Sequence, residues 1–249
     1  MFGAAGRMGR TVCEAVAGDP ALELVAAVDP GHGGSEVGGV AVSEDPGALT
    51  TAGATVAVDF TEAHAARSNL RWCAEHGVNA VVGTTGLSED DLEDLRHRFT
   101  DLGCLVAPNF AIGAVLMAHF AELAAPWFET AEIIELHHDA KVDAPSGTAM
   151  STARRMAAAS SEWGADPTTT QVVEGARGGR GPGGIPIHSV RLRGLVAHQE
   201  VLLGTTGQLL TLRHDSLDRT SFMPGVLLAV KAVPDLPGLT VGLERLLGF

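Results

Sequence analysis

The sequence predicts an α/β protein with a doubly wound parallel sheet, followed by a separate domain with an antiparallel or mixed sheet. Three observations support this fold class. The chain opens with a glycine-rich turn, GAAGRMG; β-rich and helical runs alternate through the first half; and three β-rich runs follow one another without helices in the second half. Alternation of strand and helix favours parallel pairing, because parallel strands need a crossover connection.

In the first half, β-rich apolar runs predict strands, with helices between them. Strands are expected at residues 22–28, 55–60, 79–82 and 104–107, and helices at residues 7–17, 62–75 and from residue 88 onward. Ser88 is a good N-cap, and the acidic residues that follow it suit the helix dipole. Residues 31–54 are rich in Gly, Ser and Pro and are expected to be mostly loop.

The pattern changes after Asn109. The predicted helices are residues 112–128, 146–159 and 220–233, and the predicted strands are residues 132–136, 185–192, 198–203 and 208–213. Residues 176–184 have no periodicity and are expected to form a mobile loop. We therefore predict a first domain of residues 1–109 and 218–249, and a second domain of residues 110–217.

The composition limits the classes of function. A formal net charge of −13 over 249 residues argues against a nucleic-acid partner, because an acidic chain repels phosphate backbones. No apolar run is long enough to span a membrane, and nothing resembles a signal peptide, so a soluble cytoplasmic protein is expected. Cys13, Cys73 and Cys104 are isolated in the sequence and are expected to be buried, reduced thiols.

The glycine turn suggests a dinucleotide site. Gly3, Gly6 and Gly9 have a GxxGxxG spacing, a variant of the turn that lets a backbone approach a pyrophosphate at a helix N-terminus. Alone this signal is weak, because the chain contains 31 glycines. Two further features strengthen it, namely Asp29 at the end of the next predicted strand and the Gly-Thr-Thr-Gly turn at residues 83–86, after the strand at residues 79–82.

These three features together predict a nicotinamide dinucleotide as cofactor. The Asp29 carboxylate can accept hydrogen bonds from a ribose diol and would repel a 2′-phosphate, which favours NAD over NADP. Arg7 and Arg10 lie close enough in the sequence to weaken that preference. The choice between NADH and NADPH therefore remains open at this stage.

A second chemical motif lies at residues 135–149, ELHHDAKVDAPSGTA. A histidine and a lysine in this stretch can each supply a proton near neutral pH. Ser146 is a good N-cap, and the exposed amides at Gly147 and Thr148 would form an anion site at the helix start. The stretch predicts reduction of a substrate that carries carboxylate, with a histidine or Lys141 as the proton source.

Other interpretations carry less weight. Adjacent histidines can bind a metal, but HHxxK lacks convergent Cys or Glu ligands, and no metal is expected. Asp143 either orients Lys141 or simply caps or solubilises the loop, and it is not assigned a catalytic role. Another dehydrogenase of amino or hydroxy acids, or a non-catalytic dinucleotide sensor, would share the glycine turn but has no reason to contain HHxxK followed by PSGT. The isolated His188, His198 and His214 are expected at a surface or interface.

Residues 135–149 closely resemble the signature segment of the 4-hydroxy-tetrahydrodipicolinate reductase family, also called dihydrodipicolinate reductases, of the bacterial lysine and diaminopimelate pathway. The resemblance extends to GAAGRMG, VVGTTG, APNFAIGAV and the stretch from GIPIHSVRLRG through RHDSLDRTSFMPGVLLAV, and spans nearly the whole chain. It implies a Rossmann-type doubly wound parallel sheet domain plus a second α+β domain, whose open mixed sheet builds a homotetramer.

The resemblance also implies roles for individual residues. His137 would be the proton donor or acceptor, Lys141 the second proton donor, and His138 a substrate contact. Ser146, Gly147 and Thr148 would bind a substrate carboxylate. The implied cofactor-binding residues are Gly3, Ala4, Ala5, Gly6, Arg7, Met8, Asp29, Gly83, Thr84, Thr85, Ala107, Pro108, Asn109 and Phe110. The implied reaction uses NADH or NADPH to reduce 4-hydroxy-tetrahydrodipicolinate, a small dicarboxylate, to tetrahydrodipicolinate with loss of water.

The start of the sequence raises a separate question. Only Met1 and Phe2 precede the glycine turn, whereas a buried parallel strand typically needs about 5–6 residues. Our hypothesis is that the start was assigned too late, at a GTG codon that encodes Val inside a strand. An in-frame stop codon immediately upstream would rule this out. We expect weaker cofactor binding and lower stability than in a version with the strand restored.

Overall fold

The structure, a computed structural model, describes all 249 residues. The chain divides into two compact units, of which unit 1 contains Met1–Ala111 and Arg219–Phe249, and unit 2 contains Ile112–Asp218. Unit 1 is built on parallel strands flanked by helices, and unit 2 on a mixed sheet. The α/β fold class that the sequence predicts is therefore confirmed.

Strands and α-helices make up most of both units. The strands are β1 (Ala27–Val28), β2 (Glu36–Val37), β3 (Val40–Ser43), β4 (Val56–Asp59), β5 (Asn79–Val82), β6 (Gly103–Val106), β7 (Thr130–His137), β8 (Gly179–Arg180), β9 (Pro186–Arg191), β10 (Ala197–Thr205), β11 (Gln208–Ser216) and β12 (Gly238–Val241). The α-helices are α1 (Arg7–Gly18), α2 (Gly47–Thr51), α3 (Ala63–Glu75), α4 (Glu89–Arg98), α5 (Ile112–Ala124), α6 (Gly147–Ala159), α7 (Met223–Ala232) and α8 (Glu244–Leu247).

The main sheet of unit 1 is parallel, with strand order β12-β6-β5-β4. Its inner strands are short runs of small and β-branched apolar residues, and all four residues of β6 are buried. A parallel sheet covered on both faces has this continuous apolar pattern, which is why the sequence predicts β4, β5 and β6. The edge strand β12 was not predicted.

Met1 and Phe2 connect this sheet to the remaining strands of unit 1. Phe2 forms parallel bridges to Val28 of β1 and Asp59 of β4, and its N–H donates to Val58 O at 2.9 Å. Both residues are buried. Residues 22–26, predicted as part of a strand, are not in one: together with Met1 they border a groove of about 430 Å³, whose other lining includes residues 53–56. The prediction of a strand at residues 22–28 is correct only for its last two residues.

Residues 31–54 are mostly loop and turn, as predicted, but they also contain β2, β3 and α2, which were not predicted. The two strands form an antiparallel hairpin with Val37 paired to Val40. Gly38 and Gly39 make the two-residue turn, and both have positive φ, +60° and +81°. Glycine adopts this conformation at little cost, and two consecutive positive φ values match the twist of a tight hairpin. β3 then pairs in parallel with β1.

Unit 2 contains a five-stranded mixed sheet in the order β11-β10-β7-β9-β8. β10 is antiparallel to both β7 and β11, while β9 is parallel to β7. Helices α5 and α6 pack on one face, where small residues such as Ala121 and Ala153 contact the cluster of Ile133, Ile187 and Val201. The sequence predicts β7, β9, β10 and β11 of this sheet but not β8, and β7 is two residues longer at its start and one longer at its end than predicted.

Several element boundaries differ from prediction for local reasons. α5 ends at Ala124 because Pro126 cannot continue it, and Ala125–Trp127 form a 3₁₀ turn. α7 is flanked by 3₁₀ turns at Arg219–Phe222 and Val233–Asp235. The predicted mobile loop at residues 176–184 contains β8 and the 3₁₀ turn Pro182–Gly184.

The three cysteines are buried and free, as predicted. Burial raises the pKa of Cys73 to about 12, which keeps its thiol protonated. None of the helices combines the length and apolar character required to cross a bilayer.

Candidate active site

The glycine turn of unit 1 leads directly into α1. Gly3 has a φ of +70°, and Gly6 N–H donates to Gly3 O at 3.1 Å. A Cβ on Gly9 would lie 1.9 Å from Gly3 O, so only glycine allows the helix to approach the turn this closely. Gly6 is the N-cap and provides no side-chain cap. The first turn of α1 therefore presents backbone N–H groups at the positive end of the helix, where anions bind.

Asp29 lies at this turn, immediately after β1. One carboxylate oxygen accepts from Ala5 N–H at 2.9 Å, and the other lies 2.9 Å from His32 Nδ1. Arg10 Nε donates to Ala5 O at 3.0 Å. The N–H of Ala5 is thus bonded to Asp29, and the C=O of Ala5 is bonded to Arg10. His32 was not identified from the sequence.

Asp59 lies at the carboxyl end of the parallel sheet of unit 1 and was not identified from the sequence. It ends β4, its side chain is buried, and it accepts from Thr61 N–H at 2.9 Å and from Thr61 Oγ1 at 2.7 Å. Asn69 Nδ2 and Thr84 Oγ1 each donate to it at 2.7 Å. The sequence pattern that could have identified Asp59 is TVAVDF, in which an acidic residue ends an apolar run. Asp29 ends the run LVAAVD in the same way.

The two loops predicted to line the cofactor lie beside each other after β5 and β6. Ala107 N–H donates to Val82 O at 3.0 Å, and the rings of Phe60 and Phe110 are 5.7 Å apart. A Cβ on Gly83 would lie 2.1 Å from the Phe60 ring, so the ring requires glycine at this position. Asn109 Oδ1 accepts from Ala111 N–H at 2.8 Å. The carboxyl ends of parallel strands are where doubly wound sheets bind ligands, and unit 1 brings the predicted cofactor residues together there.

In unit 2, His137 ends β7 on the face covered by α5 and α6. Its Nδ1 is hydrogen-bonded to Glu135 Oε2. Glu135 is completely buried, two residues earlier on the same face. Because a carboxylate only accepts hydrogen bonds, the imidazole ring donates to Glu135 from Nδ1.

Arg191, at the end of β9, is the second partner of Glu135. Its Nη1 and Nη2 donate to the two carboxylate oxygens at 2.9 and 2.8 Å. Burial alone would raise the pKa of Glu135, but hydrogen bonds from His137, Arg191 and Ser189 outweigh it and lower the pKa to about 2. The carboxylate is therefore ionised at neutral pH. Sequence reasoning assigned no role to Glu135 or Arg191.

The predicted anion site lies at the start of α6. Ser146 is the N-cap, as predicted, and its Oγ accepts from Ala149 N–H at 3.2 Å. Its own N–H donates to Glu135 Oε1 at 3.1 Å. Gly147 is exposed and Thr148 half-buried, in the first turn of the helix.

Lys141 is paired with a carboxylate of its own loop. Its Nζ donates to both oxygens of Asp143, at 2.7 and 2.9 Å, and this hydrogen bond lowers the pKa of Asp143. The Asp143 side chain is 58% exposed, so the pair is accessible to solutes. His138 is exposed and its carbonyl accepts from Lys141 N–H at 3.2 Å. No group of three or more His, Cys, Asp or Glu side chains is arranged to hold a metal ion.

Comparison with known proteins gives matches along the whole chain. The family model described as "Dihydrodipicolinate reductase, N-terminus" matches residues 1–110, and "Dihydrodipicolinate reductase, C-terminus" matches residues 113–247. The 4-hydroxy-tetrahydrodipicolinate reductase of Cutibacterium acnes is 54% identical over 256 residues, covering 100% of this chain and 98% of the relative. The enzyme of the same name from Corynebacterium urealyticum is 48% identical, with the same coverage.

Solved structures agree with these matches. The structure titled "Dipicolinate bound Dihydrodipicolinate reductase from Paenisporosarcina sp. TG-14" superposes with a TM-score of 0.88 at 42% identity, covering 98% of this chain and 97% of that one. An amine dehydrogenase from Mycobacterium smegmatis superposes with a TM-score of 0.55 at 15% identity over 92% of this chain and 91% of that one. The latter likeness concerns the fold alone.

Replacement of Asp59 tests whether this carboxylate organises the edge of the parallel sheet. Asp59→Asn removes the charge and replaces one acceptor oxygen with an NH2 group, which at the Oδ2 position faces the donor Asn69 Nδ2. Leaving a buried polar group unpaired costs about 1–3 kcal/mol. We expect a lower midpoint of thermal unfolding than in wild type, measured by circular dichroism. Asp101→Asn, at an exposed turn of the same unit, is the matched control. Equal midpoints for the two variants would contradict the role assigned to Asp59.

Proposed function

The chain belongs to the dihydrodipicolinate reductase family, and from that premise we propose which of its residues carry out the reaction. The reaction is the reduction of 4-hydroxy-tetrahydrodipicolinate to tetrahydrodipicolinate with loss of water, in lysine and diaminopimelate biosynthesis. The observation that carries the proposal is the hydrogen-bonded pair of His137 and Glu135 beside the Ser146-capped start of α6.

Unit 1 binds the nicotinamide dinucleotide. Gly3, Ala4, Ala5, Gly6, Arg7 and Met8 hold the pyrophosphate, Asp29 the adenosine ribose, and residues 83–85 and 107–110 the nicotinamide. The uncapped first turn of α1 and the contact that only glycine permits at Gly9 support this assignment. When bound, the reduced cofactor supplies the hydride; the remaining chemistry belongs to the protein.

Unit 2 binds the substrate through its carboxylates. The backbone amides of Gly147 and Thr148 lie at the positive end of α6, which favours a bound carboxylate. Ser146 contributes its hydroxyl group, because its own N–H is bonded to Glu135. Lys141 binds a second carboxylate, and His138 contacts the substrate. The relative from Paenisporosarcina is described as dipicolinate bound, and dipicolinate is also a small dicarboxylate.

His137 supplies the proton. Its Nδ1 is committed to Glu135, so Nε2 holds the proton that the substrate receives, directly or through water. Reduction raises the electron density on the substrate nitrogen, and an acid placed nearby stabilises that charge. Lys141 is the second proton donor. Both groups carry a proton in their cationic forms, so each can also stabilise the developing negative charge.

Replacing the two proton donors tests this assignment. His137→Gln and Lys141→Gln are each expected to lower kcat by about 10²–10⁴-fold, the usual contribution of general acid catalysis, with unchanged cofactor affinity. Turnover is measured by loss of nicotinamide absorbance with synthase product supplied. His97→Gln and Lys231→Gln, on helices of unit 1, are controls. Wild-type turnover in both test variants would show that the assignment is wrong.

We propose that NADH is preferred over NADPH, because the Asp29 carboxylate at the end of β1 would repel a 2′-phosphate. Parallel kcat/KM measurements with both cofactors are expected to favour NADH. Asp29→Ser should shift the NADH to NADPH ratio towards NADPH by about tenfold, equivalent to about 1.4 kcal/mol. The ratio is the readout, because loss of the bond to Ala5 weakens both cofactors alike. A ratio unchanged from that of Asp101→Ser would contradict the proposal.

A homotetramer is the assembly we propose for this chain. The sheet face of unit 2 opposite α5 and α6 carries Ile134, Leu136, Val190, Leu202 and Leu209, by strand alternation, and Leu209 is 67% exposed. Sedimentation equilibrium is expected to give four times the 25.7 kDa mass of the chain, and Leu202→Glu to give smaller species. A monomeric wild-type protein would exclude this assembly.

A further inference from the structure

We propose that Glu135 is a positioning residue, which holds His137 in the tautomer with hydrogen on Nδ1 and fixes the start of α6 with the same carboxylate. The proposal rests on the proposed function, in which His137 supplies the proton and α6 binds a substrate carboxylate. It adds a link between the two, because one buried side chain sets both the proton donor and the anion site.

Both oxygens of Glu135 are fully used. Oε2 accepts from His137 Nδ1 and from Arg191 Nη1, and Oε1 accepts from Arg191 Nη2 at 2.8 Å and from Ser146 N–H at 3.1 Å. A carboxylate offers about four acceptor positions, and these four donors, together with the Ser189 side chain, occupy them. The side chain is completely buried, so water does not replace any of the four donors without a rearrangement.

Arg191 keeps this carboxylate ionised and in place. Its planar guanidinium binds the carboxylate through two parallel hydrogen bonds, which fix the orientation as well as the charge. Its Nη2 also donates to Asp143 O at 2.6 Å. Arg191 therefore ties the loop that contains Lys141 to the same centre.

Other charged groups near His137 do not replace Glu135. On β10 the residue opposite His137 is Ala197, and the next residue, His198, is bonded to Asp215. In the following loop, Lys141 is paired with Asp143, and Asp139 with Arg193. At α6, the contributing group is the neutral N-cap Ser146. Among the charged groups on the strands, Glu135 is thus the one bonded to His137, and Arg191 is the one bonded to Glu135.

A second cluster on the same strand shows what is particular to Glu135. Glu132 also binds a histidine and an arginine, His188 Nε2 and Arg177 Nη2, both at 2.7 Å. It lies three residues earlier on the opposite face of β7, is half-exposed, and makes no bond to a helix start. The same three residue types therefore occur twice, and only the buried copy is joined to α6.

The tautomer of His137 in the wild-type protein is the direct test. ¹⁵N NMR of the full-length chain, with the His137 signals assigned by comparison with His137→Gln, is expected to show Nδ1 protonated and Nε2 unprotonated in the neutral ring. Nε2 protonated in the neutral ring would overturn the proposal. This measurement does not depend on whether any Glu135 variant folds.

Substitution of Glu135 gives the second test. Glu135→Gln removes the negative charge that favours the imidazolium, so the limb of the kcat–pH profile due to His137 should move to lower pH. The kcat should fall at least about tenfold, part of the usual effect of a general acid, while KM for the cofactor stays unchanged. Glu135→Asp keeps the charge and should keep more of the limb position. Glu122→Gln, which removes a partner of Arg155 on α6, is the control.

The outcomes separate this proposal from the assignment of His137. If His137→Gln keeps full turnover, the proposed function is wrong whatever Glu135 does. If His137→Gln loses turnover while Glu135→Gln keeps the wild-type pH limb and ring tautomer, only the role of Glu135 is wrong. Should Glu135→Gln not fold, the His137 tautomer in the wild-type chain decides the question, and Nε2 protonated in the neutral ring would overturn the proposal.

Discussion

A buried carboxylate at the carboxyl end of a strand organises each unit of this protein. Removing an ionised carboxylate from water costs several kcal/mol unless donors surround it. Asp59 in unit 1 and Glu135 in unit 2 are both buried, and both draw donors from loops that follow strands. The loops gain fixed positions because the carboxylates must be satisfied. In the proposed function these loops carry the ligand-binding groups, which are therefore held in position before any ligand binds.

Close approach of backbone is the second device that fixes these loops. At Gly9 the helix approaches the glycine turn, and at Gly83 a loop approaches the Phe60 ring, to distances that exclude a Cβ. Both contacts lie next to residues bonded to a carboxylate, Ala5 to Asp29 and Thr84 to Asp59. Steric contact and hydrogen bonding therefore restrict the same short segments, which reduces the ordering that a dinucleotide must impose.

The parts of the structure predictable from sequence are those encoded by local pattern. Runs of Val and Ala predicted the inner parallel strands, and Ser146 was correctly identified as the N-cap of α6. The hairpin at Gly38 and Gly39 was missed because glycine and serine richness was interpreted as loop. Glu135 and Arg191 are 56 residues apart, and their pairing follows from the register of β7 with β9. A local sequence pattern does not determine the register between two strands, so this pairing could be identified only from the structure.

Burial decides which cation of unit 2 is available to a substrate. Arg191 and Lys141 each have a carboxylate partner, so neither enters binding as an isolated charge. The partner of Arg191, Glu135, is completely buried and held by several donors, whereas the partner of Lys141, Asp143, is 58% exposed and held by Lys141. An incoming carboxylate can replace Asp143 at modest cost, because the displaced group returns to water. If a substrate carboxylate displaced Glu135 from Arg191, the buried Glu135 carboxylate would lose its charged partner. His137 and the start of α6, which are bonded to Glu135, would then lose their fixed positions. The chain carries a net charge of −13, and such charge is screened beyond about 8 Å at physiological salt. In the proposed function, recognition of a dicarboxylate therefore depends on this short-range exchange at Lys141 and on the amides of α6.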